Sequence, residues 1–287
     1  MVATIVPAPA GHTVEPFRVG LNGGTAYWMA RFSEAAYRRL PDGSPDAVKI
    51  LAELKADDDG VLAVTPFHDH GASAVLIEHD NYFALAFRGT DEPRDWLDNF
   101  NMIPKVALFG SFHRGFFDAT DRLWPSLLAH YQLTRARLRE TSSHPKGLFI
   151  TGHSLGGAMA TVAAAQLIHR DVGFTGVYTF GQPRVMRPKT ADVFNVRAQA
   201  RFYRFQNNND IVTRMPSRAS GYSHVGSYVH INQDRSIVRE PGLWLQFLDV
   251  KDGIADDIHD RDFGTITDHY MADYLLAITP WDLQLSS

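Results

Sequence analysis

Ser154 stands at the centre of Gly152-His153-Ser154-Leu155-Gly156, with a glycine two residues away on either side. A serine hydroxyl is a weak nucleophile and attacks an acyl carbon only when it stands clear of the backbone, within reach of a base. A very sharp strand-to-helix turn presents it that way, and such a turn is sterically open only if the residues around it are small. In a chain with 22 glycines the bare spacing is expected by chance in about one such chain in ten, so its context carries the weight. The apolar run Leu148-Phe149-Ile150 leads in, and the small residues Gly156, Gly157, Ala158 and Ala160 lead out. The chemistry implied is acyl transfer through a covalent serine intermediate.

Such a nucleophile needs a general base, and the base needs an acid to orient it. On turns of this type the acid and then the histidine follow the serine along the chain. Asp210 comes after the run 201–206 and Asn207-Asn208-Asn209, just beyond the end of an expected strand. It is the candidate acid, the alternative being an aspartate that caps the loop. Five of the 13 histidines follow Ser154. His169 belongs to the helix leaving the turn, His230 to a strand interior and His259 to the charged run 256–262. His269, in Thr267-Asp268-His269-Tyr270 between a loop and a closing helix, is the candidate base; His224, after Gly221-Tyr222-Ser223, is its rival.

The elements that must position these residues are legible as periodicities. The first two dozen residues look irregular, and Met29, Phe32 and Ala36 then mark a helix over 26–40. Ser44 and Pro45 read as the N-cap and first residue of a second helix, with Ala47, Ile50, Leu51 and Leu54 on one face. Runs 73–78 and 82–87, separated by His79-Asp80-Asn81, predict a hairpin. Residues 116–140 are helical by pattern, with Pro125 expected to kink or divide the helix. Strands are expected at 147–151, 176–180, 201–206 and 225–232, with helices at 156–170 and 271–278. This alternation predicts one α/β domain over 1–287, its sheet covered on both faces and its ligand site beyond the C-terminal ends of the strands.

Composition narrows the classes. Twenty-eight Lys and Arg against 32 Asp and Glu lack the basic excess of a nucleic-acid-binding surface. With no cysteine, thiolate nucleophiles, disulfides and Cys-ligated zinc are excluded. The longest stretch free of charged residues, 147–169, holds several glycines, a serine and two histidines, which argues against a membrane span. The N-terminus has no Lys or Arg before Arg18 and reads poorly as a signal peptide. The expectation is a soluble protein, its location, secreted or cytoplasmic, left open.

An ordered set of motifs resembles the class 3 lipases, the fungal-type triacylglycerol lipase family. The set begins with Ala86-Phe87-Arg88-Gly89-Thr90, Trp96, His113-Arg114-Gly115-Phe116-Phe117 and residues 150–157. It continues through Thr179-Phe180-Gly181-Gln182-Pro183-Arg184-Val185, Asn209-Asp210-Ile211-Val212 with Pro216, Tyr222-Ser223-His224-Val225-Gly226, and Asp268-His269 with Tyr274. The likeness covers roughly residues 70–278. It implies an α/β-hydrolase fold: a mostly parallel central sheet with helices on both faces and a short helical lid. It also implies Ser154, Asp210 and His269 as a triad, with Thr90 and Leu155 as oxyanion donors. Leu155 opens a helix, whose first N–H groups lack intrahelical partners. The lid corresponds to about 91–104, where Trp96, Phe100 and Ile103 fall on one stripe with Leu97 beside them and Pro104 as the stop. The cysteines of many secreted members are missing, and the first 70 residues offer little to match.

The function expected is hydrolysis of fatty-acyl esters such as acylglycerols through an acyl-enzyme, at a lipid–water interface or on a small ester, with no cofactor. Feruloyl esterase and phospholipase A1 activities are alternatives on the same triad, and a non-catalytic ligand-binding relative is a remote one. No metal is expected: His68, His70 and His79 read as surface histidines, and Asp57-Asp58-Asp59-Gly60 as a solvated turn.

Overall fold

The computed structural model describes residues 12–90, 102–141, 144–239 and 267–281. Among them the chain forms β1 (Val61–Asp69), β2 (Ala72–His79), β3 (Tyr82–Phe87), β4 (Pro104–Ala107), β5 (Gly110–His113), β6 (Gly147–His153), β7 (Gly176–Phe180), β8 (Phe202–Asn207), β9 (Ser227–Ile231) and β10 (Ile237–Arg239). One sheet runs β1-β2-β3-β6-β7-β8-β9-β10, and β4 pairs separately with β5. From β3 to β9 the neighbours are parallel; β1-β2-β3 and β9-β10 are antiparallel.

Alternation along the buried strands sends side chains into two separate cores. Phe83, Leu85, Phe87, Leu148 and Ile150 face a layer made by α3 (Arg114–Thr141), α4 (Leu155–His169) and α5 (Pro188–Ala198). Tyr82, Ala84, Ala86, Phe149, Tyr178 and Phe205 face α1 (Gly23–Ala35), α2 (Ala47–Asp57) and α6 (Met271–Ile278). A sheet buried on both faces explains why its central strands read as continuous apolar runs. This is the α/β-hydrolase arrangement.

Several expectations shift in detail. The N-cap of α2 is Asp46, whose side chain accepts from the Lys49 N–H, and Pro45 instead bridges to Arg39. Pro125 sits inside α3 without dividing it. Strand β1, the β4–β5 hairpin, α5 and β10 are not among the expected elements, although Ala191, Phe194 and Ala198 of α5 do recur on one helical face. The segment 91–101, which holds most of the expected lid, lies outside the described residues. At its far end the helix expectation is corrected: Ile103 is irregular backbone and Pro104 opens β4, where a ladder with β5 outcompetes a further helical turn.

The acidic run Asp57-Asp58-Asp59-Gly60, which begins at the last residue of α2, is not simply a solvated turn. Asp57 Oδ2 accepts from Nε and Nη2 of Arg31 at 3.0 and 2.8 Å, and Glu34 accepts from its Nη1. Arg31 is only 2% exposed. His79 is likewise no surface histidine: it is buried, stacked on Tyr82 at 4.3 Å, and its Nε2 lies 3.2 Å from Asp58 Oδ2. His68 pairs with Ser73 and His70 with Asp69, so the three histidines address different partners. Breaking a buried ion pair from one side strands the other charge, so Asp57→Ala is expected to cost about 3 kcal/mol. The denaturant midpoint checks this, and an unchanged midpoint would mean that Glu34 alone suffices.

Candidate active site

Ser154 joins β6 to α4 with φ 58° and ψ −129°, a backbone conformation uncommon for a residue with a side chain. Its N–H donates to Phe180 O at 2.9 Å, and its carbonyl accepts from the Gly157 N–H at 2.9 Å. The flanking glycines are explained by contact. A Cβ on Gly152 would lie 2.3 Å from Gly156 O, and one on Gly156 would lie 2.2 Å from Phe87 O. Larger residues would push α4 off the strand ends, and the sharp turn would open.

Strand β3 runs parallel to β6 with Phe87 paired to Gly152, and it carries Gly89 up to the serine. A Cβ on Gly89 would come within 3.2 Å of Ser154 Cβ. Thr90, half-buried, is the next residue. Leu155 is the first residue of α4, so its N–H has no intrahelical acceptor and sits at the positive end of the helix.

Asp210 follows β8 and caps a single 3-10 turn, Ile211–Arg214, accepting from the Val212 N–H at 2.9 Å. Its two carboxylate oxygens lie 3.0 and 2.9 Å from His269 Nδ1. The Tyr274 hydroxyl donates to Oδ2 at 2.6 Å and accepts from the Asn207 N–H. Burial, reinforced by the Asp210 charge, raises the Tyr274 phenol well above its ordinary range, so it stays a donor. A carboxylate facing Nδ1 holds the ring proton there and leaves Nε2 as an acceptor. Ser154, Asp210 and His269 are all fully buried, and neither Ser154 Oγ nor His269 Nε2 makes a hydrogen bond among the described residues.

The structure thus brings Asp210 and His269 together. The rival histidine is elsewhere: the His224 ring lies 2.8 Å from Thr213 O through Nε2, and burial, followed by Arg204 and Arg184, keeps it neutral. Trp96, Leu97 and Phe100 lie outside the described residues. Three residues at the site escaped the sequence reading. Gly181, at φ 59°, leaves room that a Cβ would take from Asp210 Oδ2 and the His269 ring, at 2.8 to 2.9 Å. His153 and Tyr37 are joined at 2.7 Å, and the other His153 nitrogen reaches the His269 carbonyl. Gly181 and His153 stood inside quoted motifs; nothing in the spacing around Tyr37 marked it. Among the described residues no three His, Asp or Glu side chains gather as a metal site, and no helix is long and apolar enough to cross a membrane.

Comparison with known proteins places this geometry in context. The profile of the family described as "Lipase (class 3)" matches residues 84–220, which take in Thr90, Ser154, Leu155 and Asp210. The chain is 37% identical over 189 residues to the secreted mono- and diacylglycerol lipase 1 of Fusarium solani, covering 64% of this chain and 51% of that one. It is 28% identical over 261 residues to the phospholipase A1-II 1 of Oryza sativa subsp. indica, covering 82% of this chain and 64% of the relative. The chain therefore spans between half and two-thirds of the length of these curated relatives. The solved structure of the Rhizomucor miehei triacylglyceride lipase superposes with a TM-score of 0.64 at 21% identity, over 85% of this chain and 92% of that one, a likeness of fold.

Proposed function

We propose that this chain belongs to the class 3 lipase family, that it is a serine carboxylester hydrolase acting on fatty-acyl esters such as acylglycerols, and that 1–287 works as one domain. His269 Nε2 takes the hydroxyl proton as Ser154 Oγ attacks the ester carbonyl, and Asp210 stabilises the imidazolium that results. The N–H groups of Leu155 and Thr90 receive the negative oxygen. The protonated His269 then hands its proton to the departing alcohol. Water, deprotonated by His269, hydrolyses the acyl-enzyme and restores the serine. The observation that most supports this reading is the Asp210–His269 pair at 2.9 Å beside a serine held at φ 58°.

Phospholipase A1 activity is the second reading, favoured by the likeness to the rice protein of that name. The substrate surface is proposed from the stripe Trp96, Leu97 and Phe100, which as a lid would cover the cleft in water and turn toward lipid. A series of p-nitrophenyl esters of increasing acyl length tests the hydrolase reading and the lid, and release of the sn-1 acyl chain from a diacyl phospholipid tests the second reading. Hydrolysis is expected throughout the series, with a sharp rise once a long-chain ester passes its solubility limit. Replacing Trp96 and Phe100 with serine is expected to flatten that rise and spare the short ester. A rate that passes smoothly through the limit in the unmodified protein would remove the lid from this reading. No turnover of any ester would favour a ligand-binding role instead.

A further inference from the structure

We propose that His153, oriented by Tyr37, is a positioning residue for the base: its Nε2–H fixes the backbone carbonyl of His269 and thereby the point from which the His269 ring faces Ser154. The inference rests on the triad reading above and names a part of the machinery which that reading does not contain.

His153 is the last residue of β6 and directly precedes the serine. It is buried, with Nδ1 2.7 Å from the Tyr37 hydroxyl and Nε2 2.7 Å from the His269 carbonyl oxygen. A carbonyl only accepts, so Nε2 carries a proton. Burial above all, and then the neighbouring His269, hold this imidazole well below the usual histidine range. The ring is therefore neutral, its Nδ1 is an acceptor, and the Tyr37 hydroxyl donates to it. Tyr37 thus selects the tautomer that points a donor at the His269 backbone. The other titratable groups facing His153 are His269, with ring centroids 4.6 Å apart, and Tyr274, edge-on at 5.9 Å and bonded in turn to Asp210.

The segment carrying His269 needs such a tie. It is a single turn just ahead of α6, and Asp210 restrains only the Nδ1 end of the ring. Asn207 Nδ2 holds Asp268 O at 3.0 Å, and His153 holds the next carbonyl. Nucleophile and base are then referenced to the same strand end, with one residue of β6 supporting both. A misplacement of about 1 Å costs on the order of 10²-fold in rate.

The test compares steady-state kinetics on a soluble p-nitrophenyl ester across pH. His153→Phe is expected to lower kcat about 10²-fold with KM unchanged. It is also expected to move the acidic limb of kcat/KM to lower pH, because a base less well seated against Asp210 holds its proton less tightly. His153→Gln places an amide donor near the Nε2 position and is expected to recover most of kcat; His153→Asn, whose amide reaches only the Nδ1 side, is not. Tyr37→Phe is expected to fall between. Equal activity in the Gln and Asn variants, or a wild-type rate and unmoved limb in His153→Phe, would overturn the proposal. If His153→Phe does not fold, the Gln and Asn pair decides alone. Persistent labelling of Ser154→Ala by a serine-directed phosphonate would instead sink the triad reading, whatever the His153 variants do.

Discussion

Ser154→Ala is expected to abolish covalent labelling by a serine-directed phosphonate and to lower ester hydrolysis by at least about 10³-fold, with the fold intact. The serine hydroxyl is buried and makes no hydrogen bond among the described residues, so its removal strands no partner. The backbone at φ 58° is as demanding for alanine as for serine. Thermal stability should therefore stay equal or rise slightly while activity disappears, a combination that marks a residue kept for chemistry. Loss of both together, followed by melting temperature and labelling on one sample, would mean that the turn itself depends on the hydroxyl.

His269→Ala is expected to be as damaging as the serine change, since members of such a unit fail together. His224→Ala should keep most of its activity, because its ring is bonded to Thr213 O rather than directed at Asp210. The reverse pattern would reassign the base. Asp210→Asn separates orientation from mere space filling. The carboxylate accepts from three donors, the Val212 N–H, the Tyr274 hydroxyl and His269 Nδ1. An amide can satisfy them only by turning an N–H toward the imidazole, which favours the wrong tautomer, and kcat should fall on the order of 10⁴-fold. Circular dichroism should change little.

Residues whose role follows from local pattern were visible in the sequence; those whose role follows from a distant neighbour were not. Gly152 and Gly156 announce a tight turn, and the structure supplies the clash that requires them. Asp210 stood out as a candidate because it follows an expected strand, and His269 because it lies between a loop and an expected closing helix. Helix boundaries slipped where a cap competed with its neighbours, as Asp46 did with Ser44. Strand β1 alternates poorly, exposing Leu62 and burying Phe67 within a run that includes Thr65 and Pro66, so its place in the sheet depends on pairing with β2. The Tyr37–His153–His269 chain of contacts had no local signature, because it is made between segments 116 residues apart. Asp57 and His79 were misread for the same reason: their partners come from other elements.

The parallel order of β3, β6, β7, β8 and β9 also decides when the site can come into being. Parallel neighbours cannot be joined by a tight turn, so every pairing waits on a long crossover, and topologies of this kind fold slowly. The turn bearing Ser154 depends on β3, β6 and β7, whereas the proposed base lies on a segment emerging from the ribosome more than a hundred residues later. Vectorial synthesis therefore produces the proposed nucleophile well before the group proposed to arm it. Until α6 docks against α1, Asp210 lacks its His269 partner, and in the proposed reading Ser154 remains an ordinary alcohol. On the proposed reading, a chain built this way stays inert while it is being made, with α6, the last helix among the described residues, serving as the latch.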